Sequence, residues 1–157
     1  MAQNTPKQWR MVSAVAAALG VVIAAATFLP WFAIKLVLTN PPQTVTRTES
    51  GFLDTDFGYI VTAVGVCAVM LGLFCLAKPA TDPRLGPALS FHITLPIVGL
   101  AATGISWAQA ANDTSNPLTP AYGLVLLLVA LVGWLVCGVL LRRMATAARG
   151  VPGSVGH

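Results

Sequence analysis

Charge is scarce in this sequence. Nine basic and five acidic residues are spread over 157 positions, 9% of the chain, where an ordinary soluble domain carries about 25%. A soluble fold of this size could not cover its surface with so few. The chain is instead 56% apolar, with a mean hydropathy of +0.78, so most of its solvent must be a bilayer. Histidine is scarcer still, at His92 and the terminal His157. That excludes bis-histidine haem ligation or a binuclear metal site within one chain. The three cysteines, Cys67, Cys75 and Cys137, all fall inside apolar runs, with no CxxC and none in an outer loop. Disulfide, zinc and redox-thiol chemistry lose their usual support, and small buried hydrophobes is the simpler reading.

No Asp, Glu, Lys or Arg lies deep within an apolar run. An ionisable group inside a span is the ordinary mark of a functional site, and a small proton-coupled exporter needs an embedded carboxylate. Ser13, Thr103 and Ser106 have no histidine or acid at a matching depth for nucleophilic catalysis. Asp54 and Asp56 offer too few oxygens for a hard cation, and Asp82-Pro83-Arg84 is too sparse for a phosphate-handling enzyme. The sequence pI of 9.4 does not point to nucleic acid, because the basic residues flank apolar runs and form no stripe with aromatics. These absences predict no enzyme, no cofactor, no metal site and no nucleic-acid partner.

What is present is four apolar runs, at about 10–34, 59–77, 88–107 and 120–141, in one domain spanning 1–157. Thr5-Pro6-Lys7-Gln8 reads as a capping box with proline at the first helical position. At about 1.5 Å per residue, Met11 to Ile34 would reach about 36 Å, enough to cross a bilayer core. Pro30 removes a hydrogen bond to the Ala26 carbonyl and should kink or end this helix. Ala24-Ala25-Ala26 mimics a signal-peptide cleavage site, but the apolar run continues past it to Phe32, which favours a retained span. In the outer loop, 36–57, Leu36-Val37-Leu38 precedes Asn40-Pro41-Pro42, and Thr44, Thr46 and Thr48 alternate with Val45 and Arg47. That pattern predicts a small β-hairpin, which would have to rest on the bundle or on a partner. Pro87 opens the third span and Pro96 should kink it, while Thr119-Pro120 should cap the fourth helix. Gly150 and Pro152 end that helix beyond Arg149. The expected fold is therefore an all-α membrane protein, a four-transmembrane-helix bundle with an extracytoplasmic β-hairpin between helices one and two.

Charge placement sets the orientation. Lys7, Arg10, Lys78, Arg84, Arg142, Arg143 and Arg149 fall on one side with only Asp82 against them. Lys35 and Arg47 fall on the other, with Glu49, Asp54, Asp56 and Asp113. By the positive-inside rule both termini are cytoplasmic, which for a bacterial chain means the inner membrane. Trp9, Arg10, Trp31, Lys35, Trp107, Arg142 and Arg143 are the expected interface anchors, with Lys35 snorkelling to the headgroups. The basic tail can attract anionic lipid at about 1 kcal/mol per charge. Small residues recur at spacings of four: Ala16, Gly20 and Ala24; Ala68 and Gly72; Gly99 and Thr103; Gly133 and Cys137. They allow close helix approach, and short turns favour antiparallel neighbours. His92, with Ser90 and Thr94 nearby, is expected as a neutral imidazole bonded between helices; His92 and Thr94 are the candidate interhelical or partner contacts.

Phe28-Leu29-Pro30-Trp31-Phe32 is followed by a threonine-rich loop holding Glu49-Ser50-Gly51 and Asp56-Phe57-Gly58. Over about residues 10–140 this resembles small four-span membrane proteins common in actinobacteria, including mycobacteria, whose first helix ends in Leu-Pro-Trp. The resemblance carries no activity. It implies a role as accessory subunit of a larger membrane machine, such as a lipid-uptake transporter or a respiratory supercomplex. The alternative is a small homo-oligomeric transporter or channel, with His92 paired across a dimer axis.

Overall fold

The computed structural model describes residues 5–39, 42–51, 57–112 and 118–150. Asn40-Pro41, Asp54, Asp56, Asp113 and the tail 151–157 lie outside the described residues, and so do the expectations placed on them. Four helices carry the fold: α1 (Thr5–Ala26), α2 (Gly58–Ala77), α3 (Leu85–Asn112) and α4 (Tyr122–Arg149). Each is long and apolar enough to cross a membrane. Successive helices pack side by side and α4 closes on α1, which gives a four-membered bundle with both described ends of the chain on the same side.

The first helix ends earlier than the apolar run does. Continued through Pro30, it would drive the pyrrolidine ring into the Ala26 carbonyl, and Leu29 would be forced into a helical conformation disfavoured before proline. Instead α1 stops at Ala26, and Pro30 begins strand β1 (Pro30–Thr39). The freed Ala26 carbonyl is not left unpaired. It accepts from the Leu29 amide at 3.2 Å and from Trp31 Nε1 at 3.0 Å. The expected span of 10–34 is thus corrected at its outer end: residues 30–34 are strand.

The predicted hairpin is present and longer than its alternating core suggested. Strand β2 (Pro42–Ser50) pairs antiparallel with β1 from Pro30↔Ser50 to Thr39↔Pro42. A third strand, β3 (Leu118–Pro120), pairs with the other edge of β1 over Phe32, Ala33 and Ile34, giving the order β2-β1-β3. The prolines fall where a ladder tolerates a missing N–H, at the first residues of β1 and β2 and on the edge strand β3. Thr119-Pro120 therefore does not cap the last helix. Thr119 Oγ1 donates to the Ala33 carbonyl at 3.1 Å, and Ala121 serves as the N-cap without a side-chain bond.

The core is thin and built by backbone approach. A Cβ at Gly65 would lie 2.7 Å from the Ala24 amide nitrogen, so α1 and α2 touch at a separation only glycine permits. Around this seam Ala16, Ile23, Val61, Leu127, Leu131 and Trp134 form one buried cluster. Trp9, Cys75, Leu85, Leu89, Leu141 and Ala145 form another at the termini end. Large apolar side chains such as Met11, Met70, Phe91, Val129 and Val136 stand exposed around the bundle, a surface suited to hydrocarbon and not to water.

Candidate functional site

Among the described residues, one buried side chain is of the type that ordinarily titrates near neutral pH, and it lies in the middle of a polar clasp. His92, on the first half of α3, is fully buried. Trp134 of α4 donates from Nε1 to His92 Nδ1 at 2.7 Å, with the two rings edge to face at 5.7 Å between centroids. On the opposite side of the imidazole, His92 Nε2 faces Cys75 Sγ of α2 at 3.6 Å. Three helices meet on one ring.

Proton placement is set by the partners. An indole N–H can only donate, so Nδ1 must be the acceptor and the neutral ring carries its proton on Nε2, on the side of the Cys75 sulfur and the Leu71 backbone. This decides what the pair can do. A thiol–imidazole nucleophile needs an unprotonated ring nitrogen facing the thiol, and the Trp134 bond places the proton there instead. Protonating the ring fully would turn Nδ1 into a donor against another donor. The arrangement holds a neutral imidazole and joins helices through it. Proline helps the approach: Pro96 has no N–H to offer the His92 carbonyl, and Gly138 of α4 packs against that carbonyl, where a Cβ would come within 2.5 Å. Thr94, by contrast, is exposed and returns its hydroxyl to Ser90 of its own helix at 3.3 Å.

The aromatic anchors divide. Trp107 is 41% exposed and its ring lies 6.2 Å from Phe32, in keeping with an interfacial position. Trp9 and Trp31, expected at the lipid interface, are instead buried at 2% and 0% exposure. Their indoles satisfy helix ends: Trp31 Nε1 closes α1 on the Ala26 carbonyl, and Trp9 Nε1 donates to the Cys75 and Lys78 carbonyls, 2.9 Å each, at the end of α2. The last carbonyls of a helix lack intrahelical donors, and in a membrane those carbonyls need protein partners. Arg10, Arg142 and Arg143 are exposed at the termini end, and Lys35 lies on β1 opposite Thr46. Of the cysteines, Cys75 and Cys137 are buried, whereas Cys67 is exposed on the outside of the bundle.

Among the described residues, two clefts on the bundle bear on function. One, of about 510 Å³, opens at the termini end between the first turns of α1 and the turn joining α2 to α3. The other, of about 440 Å³, lies between α3 and α4 beside Thr103, Gly104, Trp107 and Leu124. Every buried polar side-chain atom among the described residues has a hydrogen-bond partner. Thr27 donates to the Ala24 carbonyl and accepts from Thr62 across the α1–α2 seam, and Ser13, Thr103 and Ser106 bond back to their own helices. Compared with known protein families, curated proteins and solved structures, the chain finds no match. Fold and site together define a four-helix membrane bundle with a small sheet at one end and a histidine clasp inside.

Proposed function

We propose that this protein is a non-catalytic accessory subunit, held against a larger integral membrane partner in a bacterial inner membrane. The observation that carries this reading is the uneven support of the hairpin. Beyond Ile34 the sheet is only two strands wide among the described residues, yet the β1–β2 ladder runs on to Thr39 and Pro42. Gln43 to Thr48 are exposed along β2. A two-stranded ribbon in water is marginal by itself, so a ladder of this length is best accounted for by a partner that covers it. The interior supports the same reading. Its buried polar groups among the described residues are Ser13, Thr27, His92, Thr103 and Ser106, and no charged side chain is with them. The alternative of a homo-oligomeric transporter relied on His92 pairing across an axis, and both nitrogens of that ring are engaged within one chain.

Purification of the native protein at endogenous level in mild detergent tests the proposal. The expected result is a stoichiometric larger partner, of the lipid-uptake or respiratory kind that the actinobacterial resemblance suggests. A variant in which residues 36–45 are replaced by Asn-Gly, leaving Lys35 opposite Thr46 across a two-residue turn, should lose that partner while the bundle stays folded. Recovery of a homo-oligomer alone, with substrate flux in liposomes, would overturn the reading.

A further inference from the structure

We propose that the cleft at the termini end binds one anionic phospholipid. Pro6, Trp9, Leu76 and Ala80 give it apolar lining, and Lys7, Arg10 and Lys78 line the same space. No carboxylate among the described residues lines it. Lys7 and Arg10 are exposed, with both heads available, while Lys78 leans towards Asp82 at 3.9 Å. That separation is long for an ion pair, and Asp82 Oδ1 already accepts from the Arg84 amide at 2.8 Å. Three cations facing one neighbouring acid leave the cleft with a surplus of positive charge.

Depth matches the ligand. Arg10 lies at the start of the apolar part of α1, and Lys78 directly follows the last residue of α2, so the cleft sits where headgroup meets hydrocarbon. Trp9 is fixed at the edge of the cleft, its N–H committed to the Cys75 and Lys78 carbonyls, so it offers the ligand no free polar group. A volume of about 510 Å³ holds a phosphoglycerol head and the first methylenes of its chains, but not whole acyl chains, which would run on into the bilayer. Phosphate charge meets the cations and methylenes meet the apolar lining. Free phosphate would leave that lining unfilled. Phosphatidylcholine would bring a quaternary ammonium into a cluster of like charge, which disfavours it.

Native mass spectrometry of the full chain, delipidated in neutral detergent and offered equal phosphatidylglycerol and phosphatidylcholine, reads this directly. One phosphatidylglycerol should be retained at least tenfold more strongly than phosphatidylcholine. The double variant K7Q/R10Q should lose that preference, while R142Q/R143Q, which removes the same charge at the same end but outside the cleft, should keep it. Ala148→Trp, which fills the cleft from α4 without changing charge, should also displace the lipid. Equal retention of the two lipids, an equal loss in both double variants, or undiminished binding in Ala148→Trp would each overturn the proposal. The last variant decides the matter even if K7Q/R10Q does not fold.

Discussion

His92 and Trp134 form a donor–acceptor pair whose members fail differently when replaced. His92→Leu leaves the buried Trp134 N–H without an acceptor, at about 1–3 kcal/mol for an unsatisfied group. His92→Asn or His92→Gln keeps a carbonyl oxygen and should cost less. The joint variant His92→Leu with Trp134→Phe should recover part of the loss, because both polar partners then disappear together. Interhelical hydrogen bonds in membranes have a modest net worth, averaging about 0.6 kcal/mol, so the unpaired group and not the missing bond sets the ordering. Denaturant unfolding in mixed micelles measures it; equal destabilisation by His92→Gln and His92→Leu would contradict it. That His92 would bond to another helix was legible because a lone intramembrane histidine must find a partner. Trp9 and Trp31 were not legible. A tryptophan at a span end has the same sequence context whether its ring faces lipid or its N–H closes a helix, and only the positions of Cys75 and Ala26 decide.

Helices were legible from their apolar length, and the hairpin from threonine alternation around Asn40-Pro41-Pro42. The β3 strand was not, since three residues show no periodicity and its partner on β1 is supplied by tertiary structure. The same holds for the outer end of α1: the apolar run masks the change from helix to strand, and Pro30 signals a break without specifying the strand beyond it. Small-residue spacing along α1 and α2 had little weight by itself, and the structure gives it a location where Gly20 meets Ala68 and Gly72 meets Ala17, on the same seam as the Gly65–Ala24 contact. Gly65→Ala should push α1 from α2 and destabilise by about 1–3 kcal/mol, as overpacking does. Gly104→Ala, where a new Cβ meets nothing within 4 Å, should be neutral or stabilising by up to about 1 kcal/mol, because helical glycine is intrinsically costly. Thermal unfolding of the two variants side by side in mixed micelles checks this; equal loss in both would remove the seam as the cause.

At the scale of the molecule, the basic residues gather at the termini end, and that asymmetry predicts cytoplasmic termini with the sheet outside. Single cysteines at Thr46 and Thr146, both exposed, placed in a background lacking Cys67, Cys75 and Cys137, test it with a membrane-impermeant thiol reagent. Labelling of intact cells at position 46 and not at 146 is the expected outcome, and the reverse pattern would invert the molecule. The sheet also carries a timetable. Thr119 and the Ala33 carbonyl it bonds are 86 residues apart in the chain. At about 5–20 residues per second, β3 leaves the ribosome roughly 4–17 s after β1. Until α3 has crossed and delivered Leu118–Pro120 to the same side, β1 has an open edge, so the finished sheet exists only in a chain whose third crossing has been made.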